Sequence, residues 1–223
     1  MGLFAAMLLL AAGPLAAQDP VDARGWLNRG VSEFKAGNYA AATAAFQNAV
    51  QSDPSFITGH LYLAKAIMQQ YIPGIESPAN KANAAAADRE FRKVLEMDAG
   101  NTTAMSYLAS LNINQKKWDD AQAWYEKLVA ADPGNAIGWY SMGFIAWSRW
   151  YPAYSEARKS LGMQPQDPGP MPPGAVKSQI RTQFTPIIDG GLRALRQGLL
   201  IDPKIRRCDG VHESAHPRES RSA

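Results

Sequence analysis

Cysteine is almost missing from this chain of 223 residues, where Cys208 stands alone. An internal disulfide and a zinc knuckle built from thiolates are therefore excluded. Histidine is nearly as scarce: His212 and His216 lie close to the C-terminus, and His60 is the only other. No Ser/His/Asp set is evident in the sequence, with only His60 outside the tail, and no glycine loop of the phosphate-cradling kind is written either. A large charge of one sign is absent too. The formal net charge is +3, and most of it resides in 204–223, where Lys204, Arg206, Arg207, Arg218 and Arg221 outnumber Asp209, Glu213 and Glu219. The body of the chain is close to neutral and offers no electrostatic footprint for nucleic acid.

Long apolar runs are lacking as well. The uncharged stretch Gly2 to Ala17, with Leu8-Leu9-Leu10 at its centre, is too short to span a bilayer as a helix. It suits the core of a secretory signal, with small residues at Ala16 and Ala17 and polar Gln18-Asp19 beyond. The expectation is a signal peptide over 1–17, cleavage after Ala17, and an exported chain, periplasmic or extracellular, with no membrane span after cleavage. What remains is 46% apolar for the chain as a whole, enough to bury a core and to exclude a wholly disordered protein.

Aligning the chain with itself shows what is present. Asp53-Pro54, Asp98-Ala99, Asp132-Pro133 and Asp202-Pro203 each close a similar stretch, and Ala99 to Pro133 is a step of 34 residues. A fixed period of this size is the signature of stacked helical units. Within the first unit, Trp26, Gly30, Phe34, Ala42, Phe46 and Ala49 recur at helical spacing, interrupted by Gly37-Asn38. In the third unit, Met105, Leu108, Ala109, Ala121, Tyr125 and Leu128 do the same around Lys117-Trp118. Small residues at Gly30, Ala42, Ala64, Ala87, Ala109, Ala121 and Gly143 let helices approach, and Phe46, Phe91 and Tyr125 fill the space between them. A single hairpin of this kind cannot bury its own apolar face, so hairpins stack.

These units resemble tetratricopeptide repeats. The resemblance implies an all-α fold, a right-handed solenoid of about four helical hairpins. The repeats run over about 23–56, 57–101, 102–135 and 136–203, forming an array within 18–203. Repeat two carries extra residues, expected as a loop over Tyr71 to Pro78. Repeat four carries an insert expected over 149–187, because the proline-rich Gln164 to Gly174 stretch cannot be helical. That insert is read as a short helix from Ala153 to Leu161, then a long one from Ala175 to Leu200 with a bend near Pro186. An interrupted last hairpin is similar to those of bacterial secreted repeat proteins.

By the same resemblance the first helix of each hairpin lines a concave groove. The exposed groove positions are expected at Arg24, Leu27 and Val31, at Thr58, Leu61 and Lys65, at Thr103, Ser106, Ser110 and Ile113, and at Ile137, Tyr140, Phe144 and Trp147. Family members that grip a terminal carboxylate use lysine, arginine and asparagine there. Leu27 and Val31 replace them here, so the clamp is absent apart from Lys65. The candidate partner-binding residues are Lys65, Ser106, Ser110, Tyr140, Phe144, Trp147, Trp150 and Tyr151, with Tyr154 beside them, since tyrosine and tryptophan anchor peptide contacts. The bland alternative is that the aromatics pack beneath the insert of repeat four.

The implied function is a non-catalytic scaffold for a protein or peptide partner, with no cofactor and no metal. A carbohydrate-binding module is the alternative, if the indole faces of Trp147 and Trp150 are open. A zinc hydrolase is the weakest reading: His212-Glu213-Ser214-Ala215-His216 fits the H-E-x-x-H pattern, but Pro217 follows at once and no apolar helix face flanks it. His60 occupies a helix-packing position, where Trp26 and Trp139 stand in other units, and is read as core.

The stretch 204–223 has two readings. One is a disordered basic tail. In the other, the reading frame changes near Lys204. The codons allowed for Ile205 to Ala215, shifted by one nucleotide, can encode Tyr-Asp-Asp-Ala-Met-Ala-Tyr-Met-Asn-Leu-Leu, an amphipathic start suited to a further repeat.

Overall fold

The computed structural model of the chain describes residues 22–164 and 166–205. Eight α-helices account for most of them, and there is no strand among the described residues: α1 (Ala23–Lys35), α2 (Tyr39–Ser52), α3 (Ile57–Met68), α4 (Pro78–Met97), α5 (Thr102–Asn114), α6 (Trp118–Ala131), α7 (Ala136–Ser160) and α8 (Ala175–Ile201). They pair in sequence as four hairpins. Each second helix also packs on the first helix of the next hairpin, and among the first helices α1 touches α3 and α3 touches α5, forming an inner layer. This is the expected all-α solenoid.

The small-against-large packing read from the sequence holds the hairpins together. Ala42, Ala64, Ala87, Ala109 and Ala121 are fully buried, as are Phe46 and Phe91, with Tyr125 nearly so. Gly30 faces the ring of Phe46, and Gly143 faces Leu195, so closely that neither leaves room for a methyl group. One core cluster spans the first three hairpins through Phe46, Leu63, Phe91 and Leu108, and a second, around Met105, Tyr125, Leu128 and Ile145, joins the third to the fourth.

Turn chemistry repeats with the same regularity. After α1, the Gly37 N–H donates to the Phe34 carbonyl and the Asn38 N–H to the Glu33 carbonyl. After α5, the Lys116 N–H donates to Ile113 and the Lys117 N–H to Asn112. Both are helix ends closed by a residue in the left-handed region, at φ 79° for Gly37 and 57° for Lys116. The same closure recurs at Gly162, where φ is 73° and the Met163 N–H reaches back to the Arg158 carbonyl.

That last closure corrects the reading of repeat four. The long helix expected from Ala175 to Leu200 is present as α8, but no separate short helix precedes it. Instead α7 runs unbroken through Pro152 for 25 residues, against 13 in α5, and α8 runs through Pro186 for 27, against 14 in α6. The segment expected as a separate helix at 153–161 is the end of α7. The fourth hairpin is thus an elongated version of the others, its two helices joined by a loop over 161–174. Buried Ala157, Met171 and Phe184 mark the apolar side of the elongation. Arg158 ties the loop down: its guanidinium, buried in the hairpin, donates to the carbonyls of Asp167 at 2.7 Å, Gly169 at 2.9 Å and Gln164 at 3.3 Å.

Repeat two divides its extra residues differently from expectation. Some lengthen α4 to 20 residues, and the rest form the 69–77 connection. Pro78 opens α4 at a position where its missing N–H costs nothing, behind Ser77, whose hydroxyl accepts from the Asn80 N–H. Asn80 then staples the connection. Its side chain accepts from the Ile72 N–H and donates to the carbonyls of Ile72 and Ile75, each at 2.8 Å.

His60 is core, as expected, and its chemistry shows why it can replace a tryptophan. Its Nε2 lies 3.0 Å from the Pro54 carbonyl, just as the Trp139 indole N–H donates to the Pro133 carbonyl at 2.9 Å. Its other nitrogen meets the Glu90 carboxylate at 2.7 Å, so the histidine also links α3 to α4.

Candidate partner-binding surface

Of the expected groove residues, Lys65 of α3, Ser106 of α5, and Tyr140 and Phe144 of α7 are all half-buried. The Lys65 ammonium lies over the Tyr62 ring at 4.9 Å and the Tyr107 ring at 5.4 Å. It therefore sits between α3 and α5, held by cation–π attraction to both. Ser110 and Ile113 do not belong to an open groove. Ser110 is only 7% exposed, and its hydroxyl lies 3.4 Å from that of Tyr125 within the same hairpin. Ile113 is 8% exposed and joins the core against α7. A residue near the end of a first helix is covered by the next first helix, which overrides the face expected from register alone.

The same logic relocates Trp147. It stands fifteen residues after Asp132, as Ile113 stands fifteen after Asp98, yet it is 51% exposed. Trp147 and Trp150 line an apolar cavity of about 170 Å³ with Gly143, Ile188, Leu192 and Leu195. This cavity lies between α7 and α8 on the face that, in each earlier hairpin, receives the next helix. The rings also stack along the elongated α7: Trp147 on Tyr151 with centroids 5.0 Å apart, and Trp150 on Tyr154 at 4.7 Å. Each indole thus has a tyrosine on one face. Phe144 approaches Trp147 at 6.2 Å and connects this ladder to the inner layer. The structure accordingly splits the candidates into an inner-layer set and an end-face set of Trp147, Trp150 and Tyr151.

Two further clefts were not expected. One, of about 800 Å³, opens between the 69–77 connection, α4 and the α5–α6 turn, and carries Arg89, Arg92, Lys116, Lys117, Asp88 and Asp120. Within it the Asp88 carboxylate holds Arg92 at 2.6 Å; the bond raises the guanidinium pKa further. Nearby, Lys81 pairs with Glu76 at 2.6 Å, and that bond with the ammonium lowers the Glu76 pKa. The second cleft, also of about 800 Å³, lies beside Arg158 and the 161–174 loop. The length of repeat two was the only sequence signal for the first cleft, since its walls come from two hairpins. No group of three or more His, Cys, Asp or Glu among the described residues could hold a metal ion. The His212–His216 motif, the 1–17 segment and most of 204–223 lie outside the described residues.

Stacked hairpins of about 34 residues, closed by the same turns and packed small against large, define a helical-repeat protein built to present a surface. The tetratricopeptide repeat family matches in two places, over residues 9–55 and 81–142. The chain is a tetratricopeptide-repeat protein. Among solved structures, it is similar to MamA, at 16% identity over 87% of this chain and 97% of that one, with a TM-score of 0.49. It is also similar to PilF of Pseudomonas aeruginosa, at 17% identity over 86% of each chain, with a TM-score of 0.47. The first such domain of Spaghetti (RPAP3), solved with an HSP90 peptide, shares 19% identity over 51% of this chain and 81% of that one, with a TM-score of 0.44. No curated protein matches the chain.

Proposed function

We propose that this protein is an exported, non-catalytic scaffold that holds a segment of a protein partner against the inner layer of α1, α3, α5 and α7. A tetratricopeptide-repeat fold suggests protein–protein interaction in general; the inner layer of this chain gives the reading its residues. The observation that carries it is the Lys65 ammonium over the two tyrosines, with Ser106, Tyr140 and Phe144 half-buried on the first helices that follow. A half-buried cation beside aromatic rings and hydroxyls suits a peptide with an acidic or carbonyl-rich stretch and apolar side chains. The basis for export is the apolar 2–17 run. No helix among the described residues is long and apolar enough to cross a membrane.

The test is affinity capture by the full chain from a cell-envelope extract, beside a Lys65→Glu, Tyr140→Ala variant shown to remain helical. A protein retained by the parent and lost by the variant supports the inner-layer site. Retention of the same set by both removes it. N-terminal sequencing of the protein from its own cells checks export: the expected first residue is Gln18, and an intact Met1 on all of the protein counts against it.

A further inference from the structure

At every internal junction of the array the same turn launches the next helix. The Asp53 carboxylate accepts from the Ser55 N–H at 2.9 Å, and the Phe56 N–H bonds the Asp53 carbonyl at 3.1 Å. Asp98 repeats this with Gly100 and Asn101, and the Asn135 N–H bonds the Asp132 carbonyl at the third junction. The turn after α8 is the same. The Lys204 N–H donates to the Asp202 carboxylate at 2.9 Å, the Ile205 N–H bonds the Asp202 carbonyl at 3.1 Å, and Ile205 is buried.

The face beside that turn is open where the others are closed. Val50 and Val129, three residues before their junction aspartates, pack on Gly59 and Gly138 of the following helix. Val129 is 7% exposed, whereas Leu199, at the same place before Asp202, is 46% exposed. Trp147 is open in the place of buried Ile113, and Leu192 is exposed beside it. The opposite end of the array is different: α1 presents Arg29 and Ser32, both exposed, at the places of Leu63 and Ala66. A second copy stacked head to tail would set that arginine into the apolar cavity, so α1 is a polar cap and a poor occupant.

We propose that the end face formed by Trp147, Trp150, Leu192, Leu195 and Leu199 is a docking site for one amphipathic helix in the register of α3, α5 and α7, and that the eleven-residue segment that the codons allowed for Ile205 to Ala215 can encode in the shifted frame is that helix. The register supports the assignment. Its first alanine falls at the place of Cys208, six residues after Asp202, where Gly59, Ala104 and Gly138 stand six after Asp53, Asp98 and Asp132. Its second methionine falls ten residues after Asp202, at the place of Leu63, Leu108 and Met142. The small residue meets Leu199 and the methionine enters the apolar cavity. The two aspartates sit in the first turn of the helix, where negative charge is favoured. The present 206–223 stretch, with Val211 as its only large aliphatic residue, cannot supply this stripe.

The experiment compares the full chain with a full chain carrying the eleven-residue segment in place of 205–215. The segment is expected to raise the melting temperature by at least about 2–4 °C and to reduce acrylamide quenching of Trp147, read as the difference between each chain and its Trp147→Phe variant. Leu199→Asp is expected to erase both gains while leaving the helix content of the present chain unchanged. No gain, or a gain that survives Leu199→Asp, overturns the docking site. A present chain that already sediments as a dimer with Trp147 protected makes a second copy the occupant, and the helix assignment falls. Resequencing the gene tests the frame: DNA whose shifted frame stops, or encodes no apolar stripe, overturns that part.

Discussion

Gly30 lies against the ring of Phe46 with no room for a side chain, and Phe46 is itself completely buried. A methyl group on Gly30 must displace a ring that has nowhere to go. Gly30→Ala is therefore expected to destabilise the protein by about 1–3 kcal/mol through overpacking, even though alanine is the better helix former by about 1 kcal/mol. Gly143→Ala, against the flexible and partly open Leu195, is expected to cost less. Urea midpoints of the two variants check the order, and equal losses would contradict it.

Lys116 holds the left-handed conformation that glycine holds at the matching turn after α1. A side chain there costs about 1–2 kcal/mol, while glycine loses more freedom on folding. Lys116→Gly is expected to stabilise by about 0.5–1 kcal/mol, with Gly37→Lys losing a similar amount. Thermal melts of the two variants decide it, and a loss in the first would refute the assignment.

Arg158 is the anchor of the 161–174 loop, and its acceptors are neutral oxygens. Arg158→Met keeps the stem but leaves those carbonyls without their donor. The expected outcome is rapid proteolysis within 161–174 and a loss of roughly 2–3 kcal/mol. Unchanged cleavage kinetics would show that the loop is held by other contacts.

Asp53 titrates below the ordinary aspartate range because the Ser55 hydroxyl, and then the Ser55 N–H, donate to its carboxylate. A carboxyl lowered on folding stabilises the native state above its unfolded value, and that contribution is lost as pH falls through the folded one. Ser55→Ala is expected to move the Asp53 titration upward, as read by carboxyl-carbon NMR. Glu76 follows the same sign through Lys81, and Lys81→Met is expected to raise its titration.

The repeat and its packing partners were legible in the chain because each hairpin carries its own information. A glycine or lysine closes the first helix, an aspartate closes the second, and small residues face large ones at fixed steps. The all-helical solenoid follows from those local rules, and His60 as core follows from its place in the register. The continuity of α7 did not, because Pro152 reads as a helix end, whereas the helix expected from Ala175 to Leu200 through Pro186 is present as α8. Pro152 and Pro186 are tolerated inside helices that run along one another, and that support is invisible along the chain. Exposure was equally a matter of neighbours. Ile113 and Trp147 sit on similar helices at the same spacing, and only the first is covered by the following hairpin, while Ser110 is buried against Tyr125 of its own hairpin. The sequence by itself determined the helices, their turns and the pairs that pack within each hairpin, since these interactions span few residues. Which apolar side chains remain open to a partner was decided by tertiary structure, because burial depends on the next layer of the stack.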